Sequence, residues 1–101
     1  MSIKETFSYP IDERWSTDEL TDVIDFFAII EKAYQEGVKR EKFVESYRKF
    51  QQVVPNKSEE KRLFREFLSN SGMEPFLAVK QLKDPEIKKV RVIENENRRQ
   101  K

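Results

Sequence analysis

Trp15-Ser16-Thr17-Asp18-Glu19-Leu20, opening a run that closes at Gly37, is the stretch around which this chain is organised. Ser16 and Glu19 stand at capping-box spacing: the serine hydroxyl can accept from the Glu19 N–H while the glutamate reaches back to the Ser16 N–H. Trp15 before the cap and Leu20 at the fourth helical position are placed as a hydrophobic staple, which sets the angle between the preceding segment and the helix. Asp18 and Glu19 put negative charge at the positive end of the helix dipole. Gly37 supplies the left-handed residue that ends the helix.

The apolar positions of this helix run almost all the way round it. Leu20, Val23, Ile24, Phe27, Ile30 and Tyr34 follow helical spacing, Phe26 and Ala33 widen the stripe, and Ile29 lies nearly opposite, among Asp22, Asp25 and Lys32. A helix apolar over so much of its circumference is packed by neighbours on more than one side, so helix 1 reads as the hub of the fold. Ile29 is expected either to lie under the N-terminal arm or to belong to a partner-binding patch.

The remaining chain supports an all-α fold, a compact array of about four short helices with helix 1 central. Residues 1–8 read as a flexible arm, and Tyr9, Ile11 and Trp15 as anchors pinning the next segment to the core. Phe43, Tyr47, Phe50 and Val54 form the stripe of a second helix over about 39–53, which Pro55 stops because the residue before a proline is pushed out of helical geometry. The short link makes helices 1 and 2 a helical hairpin. Ser58 is a good N-cap for a third helix, with Glu59 and Glu60 in its first turn. Leu63, Phe64, Phe67 and Leu68 are its apolar face, Lys61, Arg62 and Arg65 cluster on the other side, and Asn70-Ser71-Gly72 ends it. A shorter fourth helix starts at Pro75 and is expected to turn Phe76, Ala78, Val79 and Leu82 to the core. One helical domain therefore spans 9–83. In the charged stretch 84–101, Ile87, Val90 and Ile93 fit one face of a short fifth helix over 85–93; beyond it the chain is wholly polar, the composition of a disordered tail.

Composition narrows the function classes. At 101 residues the chain fits one domain with a core of its own, since staples become usual only below ~40 residues. There is no cysteine, hence no thiolate nucleophile, disulfide or cysteine metal site, and no histidine, the commonest general base and metal ligand. No apolar run approaches the ~18 residues of a membrane span and no signal-peptide core follows Met1, so a soluble, cytoplasmic protein is expected. The net charge of +1 conceals a polarity: residues 1–38 hold three basic and nine acidic side chains, residues 39–101 seventeen and ten. Acidic helix 1 can complement the later helices within the fold, or the basic half can face an acidic partner or nucleic acid.

Tyr9-Pro10, Asp12, Trp15-Ser16-Thr17-x-Glu19, Glu31-x-Ala33-Tyr34-x-x-Gly37, Tyr47-Arg48-x-Phe50, Val53-Val54-Pro55-x-Lys57, Glu60-Lys61, Ser71-Gly72 and Ala78-Val79-Lys80 together resemble one family. It is the uncharacterised protein family numbered 0223, small proteins of low-GC Gram-positive bacteria, and the resemblance covers roughly residues 7–83. It implies a compact all-α fold of about four helices and carries over no catalytic residue and no cofactor. The chain departs from the pattern at Met73-Glu74-Pro75-Phe76, where relatives tend to have tyrosines after Ser-Gly, and beyond Asp84.

Catalysis is not expected. Asp18, Asp22 and Asp25 share much of one helical face and could hold a hard cation such as Mg²⁺, but a solvated acidic face near a helix N-terminus has the same composition. No phosphate loop, nucleophile elbow or EF-hand loop occurs. The expected function is that of a small non-enzymatic protein-interaction module, with an unidentified protein partner or self-association. The alternative is an RNA- or ribosome-associated protein, using the basic face of helix 3 and the tail. Against it, Glu86, Glu94 and Glu96 interleave with the tail's basic residues and stacking aromatics are missing there. The candidate interaction surface is Asp22, Asp25 and Ile29 on helix 1 and Arg62 and Arg65 on helix 3.

Overall fold

In the computed structural model, which describes residues 7–93, the hub helix α1 is Thr17–Gln35. Its capping box is complete: Ser16 Oγ accepts from the Glu19 N–H at 3.2 Å and the Ser16 N–H donates to Glu19 Oε1 at 2.9 Å. At the far end the N–H groups of Glu36 and Gly37 both donate to the Lys32 carbonyl, and Gly37 takes φ +97°, a conformation a side chain disfavours.

Two adjacent phenylalanines make α1 the hub. Phe26 and Phe27 are both fully buried and point about 100° apart around the helix. Phe26 stacks on Phe50 at 4.7 Å and on Tyr47 at 5.4 Å, both on α2 (Arg40–Val53). Phe27 stacks instead on Phe67 at 4.6 Å, on α3 (Lys57–Ser71). One helix thereby supplies the core contacts of two others. Truncating either ring to alanine should cost roughly 3–5 kcal/mol.

The cap of α3 is Asn56, two residues earlier than the serine the sequence favours. Its Oδ1 accepts from the N–H groups of both Ser58 and Glu59, so Ser58 lies inside the helix. Gly72, at φ +87°, ends α3. The short helix α4 (Pro75–Val79) follows with Pro75 at its start and runs into a 3₁₀ turn, Lys80–Lys83. Ala78 is buried there, but Phe76 is 49% exposed, against the expectation that it faces the core. Ile11 is likewise 55% exposed and pins nothing, whereas Tyr9 and Trp15 pack on the core.

Residues 85–93 hold no helix. Lys89–Val90 forms strand β2, antiparallel to β1 (Val38–Lys39) with Val38 opposite Val90. The reason is alternation: Val90 and Val92 are buried, Lys89 and Arg91 are exposed, and Ile93 is 62% exposed, the period of a strand. The Val92 N–H donates to the Ala33 carbonyl and the Arg40 N–H to the Lys88 carbonyl, so this segment takes the place of a side-chain cap on α2. Packed residues extend from Phe7 to Val92, on both sides of the 9–83 span read from the sequence. The rest of the expected tail lies outside the described residues.

Candidate functional site

The outer surface of α3 carries the most functional potential. Three of its side chains, Lys61, Arg62 and Arg65, point to solvent because Leu63, Phe64 and Phe67 occupy the buried face. Arg62 is bracketed on its own helix by Glu59 at 2.5 Å and Glu66 at 3.6 Å. The hydrogen bond with Glu59 raises the guanidinium pKa and lowers that of the carboxyl, so both stay ionised, and the two glutamates offset the Arg62 charge on its own helix. Lys61 and Arg65 form no ion pair among the described residues.

Beside α3 lies a cleft of about 720 Å³, walled by Trp15, Pro55 and the start of α3. Its N-terminal side is built by Asp12. One carboxylate oxygen accepts from the Arg14 backbone N–H at 2.9 Å and from its Nε at 3.0 Å, the other from Nη2 at 2.7 Å. The Asp12 carbonyl accepts from the Trp15 N–H, completing a turn that sets the indole at the cleft. Held chiefly by the Arg14 side chain, the Asp12 carboxyl has its pKa lowered to about 2. Arg14, Arg62 and Arg65 edge this cleft, the first two paired with Asp12 and Glu59 of the same lining, and Trp15 is half-buried beside them.

On the other side of Arg65 a smaller groove of about 260 Å³ lies between α3 and α4. Phe64, Leu68 and the exposed ring of Phe76 line it, with Lys61, Arg65 and Glu74 as its charged residues. The start of α4 is held by Tyr34, whose hydroxyl accepts from the Glu74 N–H at 2.8 Å and lies 3.3 Å from the Glu74 carbonyl. The sequence reading missed this groove by turning Phe76 inward. No local signal was available: Pro75 and Ala78 are buried and Leu77 and Val79 pack partly on the core, which leaves Phe76 outside.

Asp22, Asp25 and Ile29 lie elsewhere. They line a groove between α1 and α2 together with Lys42, Glu45 and Lys49, so the acidic face of α1 borders a groove that also holds lysines of its own chain. Ile29 is half-buried against the core in that groove, and residues 1–6 of the arm lie outside the described residues. The five candidate surface residues therefore fall on two separate surfaces. Among the described residues no group of three or more Asp or Glu is arranged to hold a metal ion. No helix among them is long and apolar enough to cross a membrane.

The family described as "Uncharacterised protein family (UPF0223)" matches residues 6–91. The chain belongs to the UPF0223 family. It is 45% identical to a UPF0223 protein of Oceanobacillus iheyensis, over 86% of this chain and 99% of that one. It is 46% identical to the UPF0223 protein YfdD of Lactococcus lactis, over 80% and 87% of the two chains. With the UPF0223 protein YktA of Bacillus subtilis it shares 41% identity over 85% and 98%. The UPF0223 match runs past Asp84 and takes in β2, so the strand that closes the fold lies within the family's own span. Several UPF0223 motif residues hold structural posts in this chain. Ser16 and Glu19 cap α1, Gly37 and Gly72 terminate helices, and Tyr47, Lys57 and Glu60 meet one another between α2 and α3.

Proposed function

We propose that this UPF0223 chain is a non-enzymatic, cytoplasmic module that works by binding another protein through the outer surface of α3 and the cleft beside it. One observation carries the reading: Trp15 is only half-buried, at a large cleft lined by Arg14, Arg62 and Arg65 with Asp12 and Glu59. Tryptophan and arginine are the residues that most often dominate interface energetics, and a cleft is where they do so. The absence of histidine and cysteine from the sequence, and the structural posts held by the motif residues, also favour binding over catalysis. The cations on α3 would also suit RNA, but Glu59 and Glu66 offset Arg62, which weakens that alternative.

The test is capture from native lysate of a low-GC Gram-positive bacterium with the tagged chain, with and without nuclease, beside the variant Arg62→Glu/Arg65→Glu. We expect one protein to be retained in both nuclease conditions and lost with the variant, whose melting temperature should stay near wild type. Capture that vanishes with nuclease would replace this reading with the RNA-associated one. Equal retention by the folded variant would remove the α3 surface.

A further inference from the structure

The groove between α3 and α4 carries an inference about what the partner looks like, and it rests on the interaction-module reading. We propose that this groove receives an acidic segment of a partner protein carrying a bulky apolar side chain, which inserts between Phe76 and the α3 residues Phe64 and Leu68.

Three features of the groove converge on that chemistry. The first is an apolar lining whose floor, Phe64, belongs to the core and whose rim, Leu68 and Phe76, the fold leaves partly uncovered. Phe76 is 49% exposed although its neighbours Pro75 and Ala78 are buried, and Leu68 is only partly covered. A large ring left half in water beside a concave apolar surface is the signature of an anchor pocket. The second is charge. Lys61 and Arg65 flank the lining without an ion-pair partner among the described residues, while the cations next along, Arg62 and Arg14, are already matched to Glu59, Glu66 and Asp12. The unmatched charge of this surface is therefore concentrated where the apolar lining is, and it calls for carboxylates on the occupant. The third is rigidity: Pro75 begins α4, and the Tyr34 hydroxyl holds Glu74, so Phe76 is presented from a fixed backbone. Glu74, the one acidic residue in the lining, sets direction by repelling acidic groups from its side. The volume of about 260 Å³ suits a side-chain anchor and is too small for the segment as a whole, which must lie across the surface.

The experiment is selection from a random-peptide library displayed on phage against the immobilised full chain. Selected peptides are then measured by fluorescence polarisation against wild type, Phe76→Ala and Lys61→Glu/Arg65→Glu. Enriched peptides should share an aromatic or large aliphatic residue flanked by Asp or Glu. Phe76→Ala, a half-exposed site whose fold is checked by circular dichroism, should weaken them about tenfold or more. The charge-reversed variant should lose them and select peptides with basic flanks instead. No enrichment, or enrichment without acidic residues, or affinity unchanged in Phe76→Ala, overturns the proposal. So does binding of a labelled single-stranded RNA that depends on Lys61 and Arg65 but not on Phe76. A concentration-dependent dimer in sedimentation that Phe76→Ala abolishes assigns the groove to a second copy and likewise overturns it. If the peptides fail while the lysate partner is still captured through Arg62 and Arg65, only this inference falls. If both fail, the interaction-module reading falls with it.

Discussion

The Tyr47 hydroxyl donates to Glu60 Oε2 across 2.6 Å, joining α2 to α3 at a carboxylate whose residue is only 6% exposed. Lys57 completes the arrangement, its Nζ 3.4 Å from the other carboxylate oxygen and 5.9 Å from the centre of the Tyr47 ring. A buried charge is tolerated only when paired and hydrogen-bonded, so each member is there on account of the others. We predict that Tyr47→Phe destabilises by roughly 1.5–2 kcal/mol, the lower range for a hydrogen bond to a charged group. Glu60→Leu should instead strand the phenol, and the double variant should cost less than the sum of the two singles. Urea unfolding of all four proteins measures this; additive losses would dissolve the pair as an energetic unit.

The same contact makes a pH prediction. Burial first, and then the Glu60 carboxylate, push the Tyr47 pKa well above its ordinary value of 10, and Tyr9, half-buried with its hydroxyl on Glu31, is pushed the same way. In the folded state these phenols hold their protons where the unfolded chain releases them. Their contribution to stability is therefore complete below pH 10 and is lost as pH rises above it toward the folded values. Ultraviolet absorbance should show tyrosinate appearing late and together with unfolding, and Tyr47→Phe should flatten the alkaline fall. Early, non-cooperative ionisation of every tyrosine would contradict the burial of both groups.

Much of this architecture was legible in local chemistry. The α1 boundaries follow from Ser16, Glu19 and Gly37, and the hub role from the breadth of its apolar surface, because capping and burial act over a few residues. What was not legible depended on distant partners. Val90 joins a strand and Val92 is tied down only because Val38 and Ala33 offer main-chain partners, and a two-residue ladder has too short a period to outweigh a three-residue spacing that mimics a helix. Phe76 was assigned inward because hydrophobicity alone says nothing of whether the core still has room. The spacing of the surface candidates could not be read locally: Asp25 lies in a groove with the lysines of α2, and Arg65 lies between two grooves of α3.

Arg40 illustrates how a distant partner decides a segment. Its guanidinium donates to the carbonyls of Leu82 at 2.9 Å, Asp84 at 2.7 Å and Ile87 at 3.0 Å, gathering the chain just before β2. Those carbonyls have a planar fork to bind, which an ammonium cannot reproduce. We predict that Arg40→Lys and Arg40→Ala both loosen residues 82–92, with a loss of about 1.5–3 kcal/mol for the alanine variant. Hydrogen exchange should speed up about tenfold or more at the Val92 amide, which donates to Ala33, and leave the middle of α3 unchanged. Uniform acceleration through the whole chain would mean that residues 82–92 do not open separately.

Gly37 combines two constraints. Its φ of +97° disfavours any side chain, and a Cβ there would clash with Lys89 Cε. The lysine end is flexible and can move aside; the backbone cannot. Gly37→Ala should therefore cost about 1–2 kcal/mol, mostly from the left-handed conformation. Adding Lys89→Ala should recover little of it, and full recovery in thermal melts would make the side-chain clash the dominant cost instead.

Trp15 separates the structural from the functional role of the α1 start. A fully buried tryptophan truncated to alanine costs about 3–5 kcal/mol, but this indole is half-buried, with part of its surface on the core and part in the cleft beside α3. We predict a loss of about 1–2 kcal/mol for Trp15→Ala, since only part of the ring leaves an apolar contact. Binding should suffer more than folding, because the exposed part of the ring is what a partner in the cleft would cover. Trp15→Phe tests the division: it should keep the core contact and most of the melting temperature while weakening partner capture. Thermal melts and capture measured side by side on the two variants give the answer. If both variants lose stability and binding in proportion, Trp15 serves the fold alone, and the cleft would then have to bind through its arginines.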